Sequence, residues 1–101
     1  MTSRRFNPAS AERNVVRDLK ITNELGLHAR PAALFVQTAS KFDSDVFVEK
    51  DGASVSGKSI MGLITLEAYC GSVLRVKAQG PDAEAALNEL ESLVKNKFFE
   101  D

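Results

Sequence analysis

The apolar residues of this chain change their repeat from one short segment to the next, which limits the fold more than any other feature. From Val15 to Thr22 they alternate, with Leu19 and Ile21 on one face against Asp18, Lys20 and Thr22 on the other, as in a half-buried strand. From Pro31 to Phe42 the spacing is helical: Ala32, Phe35, Val36 and Ala39 recur at the three-and-four interval, while Ala33, Leu34 and Gln37 fall on the outer side. Asp45 to Lys50 reads as a second strand carrying Val46, Phe47 and Val48; Asp51-Gly52 is a hairpin turn pair, and Ala53 to Ser56 returns as a third strand. Ser59 opens a short helix to about Glu67, with Leu63 and Leu66 towards the sheet. Val73 to Gln79 alternates Leu74, Val76 and Ala78 with Arg75 and Lys77. Gly80-Pro81-Asp82 ends that strand, and Asp82 is expected to cap a last helix with the stripe Ala83, Ala86, Leu87, Leu90 and Val94. The order β-α-β-β-α-β-α predicts a two-layer α+β domain, three helices on one face of a four-stranded antiparallel sheet.

At 101 residues one such domain fills the chain. Residues 1–14 are polar and unpatterned and are expected to be a flexible tail, leaving 15–101 as the domain. A formal net charge of −1 gives no support to a bulk nucleic-acid binder. The single cysteine, Cys70, excludes an internal disulfide and suits a reducing cytoplasm, where the protein is expected as a monomer. No run reads as a membrane span or a signal-peptide core. No cofactor or metal is expected.

The chemistry concentrates at Glu24-Leu25-Gly26-Leu27-His28-Ala29-Arg30-Pro31, which holds the one histidine. It lies where a loop turns into a helix, beside unpaired backbone N–H groups and the positive end of the helix dipole, a place that favours a bound anion. Pro31 suits a first helical turn, where its missing N–H would have had no partner. Arg30 adds a planar cationic fork for the same anion. A histidine near a helix start is ordinarily a cap or a packing residue. Arg30 and Pro31 together favour the other reading, a neutral imidazole that carries a phosphoryl group.

Two further features carry alternatives. Gly52-Ala53-Ser54-Val55-Ser56-Gly57-Lys58-Ser59 satisfies the literal P-loop pattern of a nucleotide-binding fold, which would make the chain an NTPase. Against that, Gly52 already serves the hairpin, and residues 53–56 alternate like a strand. The second feature is the middle helix, where Ile60, Met61 and Ile64 lie away from Leu63 and Leu66. With Ala33, Leu34 and Gln37 they can form a docking surface around His28, and methionine suits a site that meets several partners. Plain core packing is the alternative reading. Ser59 at that helix start is by default a cap, though a phosphate there would gain from the helix dipole.

Gly26-Leu27-His28-Ala29-Arg30-Pro31-Ala32 resembles the active-site motif of HPr, the histidine phosphocarrier family of the bacterial phosphotransferase system. Lys58-Ser59-Ile60-Met61-Gly62-Leu63 is similar to the segment around that family's regulatory serine, and the resemblance covers residues 15 to 98. It implies an open-faced sandwich with strand order 1-4-2-3. It implies that a phosphoenolpyruvate-dependent Enzyme I phosphorylates Nδ1 of His28, and that His28 passes the group to an EIIA acceptor. Arg30, with the backbone N–H groups of Ala29 and Arg30, would steady the phosphoryl oxygens. An HPr kinase/phosphorylase acting at Ser59, and a transcriptional regulator that reads it, are further implied partners. Such a protein is a substrate of kinases and acceptors, not a turnover enzyme. The alternative is a regulatory protein-binding module, including the nitrogen-related branch, whose members this chain resembles at Ile21-Thr22-Asn23 and in its acidic, Phe-containing C-terminus.

Overall fold

The structure, a computed structural model, describes residues 13–100. Its elements follow in the expected order: β1 (Arg13–Lys20), α1 (Ala29–Ala39), β2 (Asp45–Lys50), β3 (Ala53–Ser56), α2 (Ile60–Thr65), β4 (Val73–Gly80) and α3 (Ala83–Lys95). A single turn at Lys97–Phe99 follows α3. The strands form one antiparallel sheet in the order β1-β4-β2-β3. That is the order the resemblance implied and the alternation alone left open.

Alternation places Leu19 of β1, Leu74, Val76 and Ala78 of β4, and Val46 and Val48 of β2 on one face, each nearly inaccessible to water. Phe35 of α1, Leu63 of α2 and Leu87, Leu90 and Val94 of α3 close over them. Each such side chain contributes about 1.5–3 kcal/mol through burial. The opposite face carries charge: Arg75 meets its register partner Asp18 at 3.1 Å, and Lys77 meets the diagonal Glu49 at 2.8 Å. These exposed pairs are worth little individually, but they keep that face solvated.

The Asp51-Gly52 hairpin forms as read, with φ of 51° and 85° at the two turn residues, the left-handed pair that a two-residue connection requires. This geometry removes the P-loop reading. Residues 53–56 pair along β2, and Gly57 packs so tightly that a Cβ there would lie 2.6 Å from the Val46 side chain.

Several boundaries and roles differ from the sequence reading. β1 begins at Arg13, so Arg13 and Asn14 belong to the sheet, paired with Gly80 and Gln79, and not to a tail. The remaining tail residues, 1–12, lie outside the described residues. The strand also ends at Lys20; Ile21 continues towards the loop, its N–H bonded to the Ser72 carbonyl at 2.8 Å. Helix α1 starts at Ala29 and stops at Ala39, and Val36 is only half-buried at the margin of the core. Helix α2 spans Ile60–Thr65, shorter than the stretch to Glu67.

Asp82 stands at the head of α3 but makes no side-chain cap bond. Its carboxylate instead accepts from the backbone N–H groups of Asp43 and Ser44, both at 2.9 Å, and from the Ser44 hydroxyl at 2.6 Å. The side chain therefore clamps the loop between α1 and β2 to the start of α3. These donors, the Ser44 hydroxyl first, hold the Asp82 carboxyl below the usual carboxylate range. Because the folded value is lowered, the clamp's stabilisation is present above about pH 4 and fades as pH falls through the folded value. We expect Ser44→Ala to cost about 1–2 kcal/mol in urea unfolding at neutral pH. Asp82→Asn should in addition flatten the acid limb of the stability profile.

Candidate functional site

His28 occupies the cap position of α1, with φ −88° and ψ −168°, and its side chain makes no capping bond. The Ala32 N–H closes the first turn onto the His28 carbonyl at 2.9 Å. The N–H groups of Ala29 and Arg30 have no carbonyl four residues back within the helix, and Pro31 has no N–H. Two orphan donors therefore stand immediately beside the imidazole, at the end of α1 that carries partial positive charge.

The loop before His28 is held against a segment distant in sequence. The Leu27 N–H donates to the Ala68 carbonyl at 2.8 Å, and Gly26 sits beneath that contact at φ 73°. A Cβ on Gly26 would lie 2.6 Å from the Ala68 oxygen and 2.9 Å from the Tyr69 Cα. Glycine is required there both for its backbone conformation and for the approach. Leu27 is buried and anchors the loop from the other side.

The imidazole is partly open, with 39% of its side chain accessible. Its Nε2 lies 3.0 Å from Oε2 of Glu100. The other oxygen of that carboxylate, Oε1, accepts from Nδ2 of Asn23 at 3.0 Å, and the same Nδ2 donates to the Gly26 carbonyl at 2.7 Å. Asn23 is 1% exposed, and its Oδ1 is without a partner. An ionised carboxylate only accepts, so in a neutral ring this contact places the proton on Nε2 and leaves the lone pair on Nδ1. Nδ1 has no hydrogen-bond partner among the described residues. Arg30 is exposed and makes no ion pair among the described residues; it lines a groove of about 380 Å³ with Glu24, Leu25, Phe98, Phe99 and Glu100.

The chain matches the model of the family described as "PTS HPr component phosphorylation site" over residues 15–96, a span that contains His28 and both motifs. The chain belongs to the HPr family. HPr proteins are phosphocarriers of the phosphotransferase system. Phosphocarrier protein HPr of Treponema pallidum is 48% identical over 87 residues, covering 86% of this chain and 99% of that protein. The HPr-like protein Crh of Bacillus subtilis is 47% identical over 83 residues, covering 82% and 98%. The crystal structure of HPr-C-His from Thermoanaerobacter tengcongensis superposes with a TM-score of 0.83 at 49% identity, covering 86% of this chain and 98% of that one. The open-faced sandwich is thus the HPr fold in both topology and shape.

Within this HPr fold the residues singled out from the sequence fall into two groups. His28, Ala29 and Arg30 meet at the head of α1. Ser59 caps α2, its hydroxyl accepting from the Gly62 N–H at 3.0 Å. Met61 is 71% and Ile60 40% exposed, whereas Leu34 and Ile64 are half-buried and pack against the core. Ala33 is half-buried and Gln37 exposed on α1. Ile60 and Met61 therefore project towards solvent, while Leu34 and Ile64 pack against the core, as the alternative reading of the middle helix expects for Ile64. Among the described residues no group of three or more His, Cys, Asp and Glu is arranged to hold a metal ion. Asn23 and Glu100 escaped the functional reading of the sequence. Both lie in segments that drew notice for their resemblance to the nitrogen-related branch, but nothing in their spacing joins them to His28.

Replacing Gly26 by alanine should force the motif loop off Ala68. We expect a loss of at least about 1–2 kcal/mol from the left-handed backbone alone, read by thermal unfolding. Gly52→Ala, where no atom lies within 4 Å of the new Cβ, should cost about 1 kcal/mol and leave the histidine loop undisturbed.

Proposed function

We propose that this protein is the phosphocarrier between Enzyme I and EIIA-type acceptors, with His28 as the residue that bears the phosphoryl group. The observation that carries this reading is the unpartnered Nδ1 beside two orphan backbone donors, its ring held through Nε2 by Glu100. The Nδ1 lone pair attacks the phosphorus of phosphorylated Enzyme I. A new N–P bond forms as the bond from phosphorus to the donor breaks, its electron pair leaving with the donor. The ring then carries positive charge, with the Nε2 proton directed at the Glu100 carboxylate. The same charge makes the imidazole a good leaving group when an acceptor attacks the phosphorus in turn. The N–H groups of Ala29 and Arg30 and the Arg30 guanidinium face developing charge on the phosphoryl oxygens, and so favour the transition state in both directions. Nothing is turned over: the protein is a substrate at each step, working in the cytoplasm.

The acceptors and donor would meet His28 on the apolar surface of Ile60 and Met61, with Leu34 and Ile64 as its floor and Ala33 and Gln37 at its border. A flexible methionine at the summit can repack against differently shaped partners. Ser59 supports a second, regulatory reading. Its hydroxyl lies at the start of α2, within the docking surface, and one relative is described in a structure title as the Bacillus subtilis catabolite repression HPr. Phosphate at Ser59 would place negative charge beside Ile60 and Met61, where an approaching partner must desolvate it. A kinase/phosphorylase acting there, and a regulator recognising the product, would make the same surface a signal.

Incubation with phosphoenolpyruvate and a bacterial Enzyme I should add one acid-labile phosphoryl group by intact mass, and none to His28→Ala. No addition with a competent Enzyme I would overturn the carrier role. Arg30→Ala should accept the group about tenfold more slowly, the loss of one charge-assisted hydrogen bond of about 1.5 kcal/mol. Met61→Asp should weaken acceptance from Enzyme I while thermal unfolding stays within a few degrees of the parent, because Met61 is largely solvent-exposed.

A further inference from the structure

The end of the chain is strained in a way its packing must maintain. After α3 stops at Lys95, Lys97, Phe98 and Phe99 take φ of 55°, 55° and 59°, three successive non-glycine residues in the left-handed region. Each such residue is unfavourable for a side chain with a Cβ, which crowds the following carbonyl oxygen. Two features oppose that cost. The Phe98 side chain is 1% exposed and belongs to the core, and the N–H groups of Phe99 and Glu100 bond back to the carbonyls of Asn96 at 2.8 Å and Lys97 at 2.9 Å. Left-handed residues reverse the winding of the chain after α3, and the reversal delivers Glu100 to the histidine loop. There both carboxylate oxygens are engaged, one by buried Asn23 and the other by His28.

We infer that Glu100 is a positioning residue for phosphoryl transfer, and that the left-handed turn exists to bring its carboxylate to Nε2 of His28. This rests on the carrier reading of His28 and deepens it. Glu100 does three things there. It selects the Nε2–H tautomer, so that Nδ1 offers its lone pair. It fixes the plane of the ring against the head of α1. It also stabilises the positive charge the ring acquires when the N–P bond forms, because the Nε2 proton stays on the ring and remains directed at the carboxylate throughout. Asn23 supports this by holding Oε1 from below, tied in turn to the Gly26 carbonyl. Arg30 makes no ion pair with Glu100, so the guanidinium is left for the phosphoryl oxygens on the opposite ring nitrogen.

The test uses the full chain with 15N-labelled histidine, unphosphorylated, followed by phosphorylation with Enzyme I. In the parent, long-range proton–nitrogen spectra above the ring's titration should show Nε2 protonated, with a hydrogen-bonded Nε2–H signal protected from exchange. Glu100→Ala should lose that protected signal and accept the phosphoryl group about tenfold more slowly, with thermal unfolding showing the domain still folded. Glu100→Gln keeps the length and an acceptor oxygen but not the charge. It should retain the Nε2–H signal while slowing transfer by less than Glu100→Ala. The inference is overturned if the parent and Glu100→Ala give the same nitrogen signals, or if their transfer rates agree within twofold. The spectra are taken on unphosphorylated protein, so they report on the latch even if Enzyme I fails to modify His28. Failure of the carrier reading is thereby distinguishable from failure of this one.

Discussion

Leu19, Leu74, Val76, Val46 and Val48 point out of the same face of the sheet, and water cannot solvate them. They can be covered only by helices that return across the sheet after each strand or hairpin, and the described residues supply three. That requirement sets the positions of all the loops. The head of α1 has to emerge at the end of the sheet where β1 stops, because Phe35 and Ala39 must reach the core further along. The segment after α2 has to pass the same end before β4 begins. The contact of Leu27 with Ala68 is where these two obligations meet. The position of His28 therefore follows from core packing before any functional contact is made.

On that scaffold the proposed site combines fixed and adjustable parts. The fixed parts are backbone: the Ala29 and Arg30 donors, the Gly26 approach and the carbonyl of Ala68. They need no reorganisation as charge develops, which is the condition under which dipoles contribute most to transfer. The adjustable parts are side chains at the rim, Arg30 and Met61, exposed and without polar partners among the described residues. A carrier has to fit a donor and several acceptors in turn, and a rigid nitrogen within a pliable surround meets that need. The proposed role of Glu100 fits the same division: it holds the ring from beneath through Nε2 and leaves the solvent side to partners.

The sequence was legible wherever a contact is local. The hairpin at Asp51-Gly52, the Ser59 cap and the α3 stripe each depend on residues within a few positions, and each stands as read. Asp82 shows where this fails. The residue type and position both fit a cap, but Asp43 and Ser44 offered its carboxylate three donors from across the molecule, and tertiary contact prevailed over local preference. The start of β1 was misplaced for a related reason. Arg13 and Asn14 have no apolar alternation to mark them, yet β4 extends far enough to pair with them, and Arg13 gains a contact with Glu84 of α3.

By itself the sequence determined the class of fold, the helix head at His28 and the basic residue two positions on, because periodicity and helix-end chemistry act within a single turn or strand. It also carried the family, through two motifs in the correct separation. Only the tertiary structure decided that Ile60 and Met61 project while Leu34 and Ile64 are partly covered, since exposure depends on what packs against a helix and not on its own period. It alone brought Glu100 to the imidazole across 72 residues of chain. No local pattern could announce that contact: it depends on three left-handed residues that are unfavourable in isolation and persist where Phe98 is held in the core.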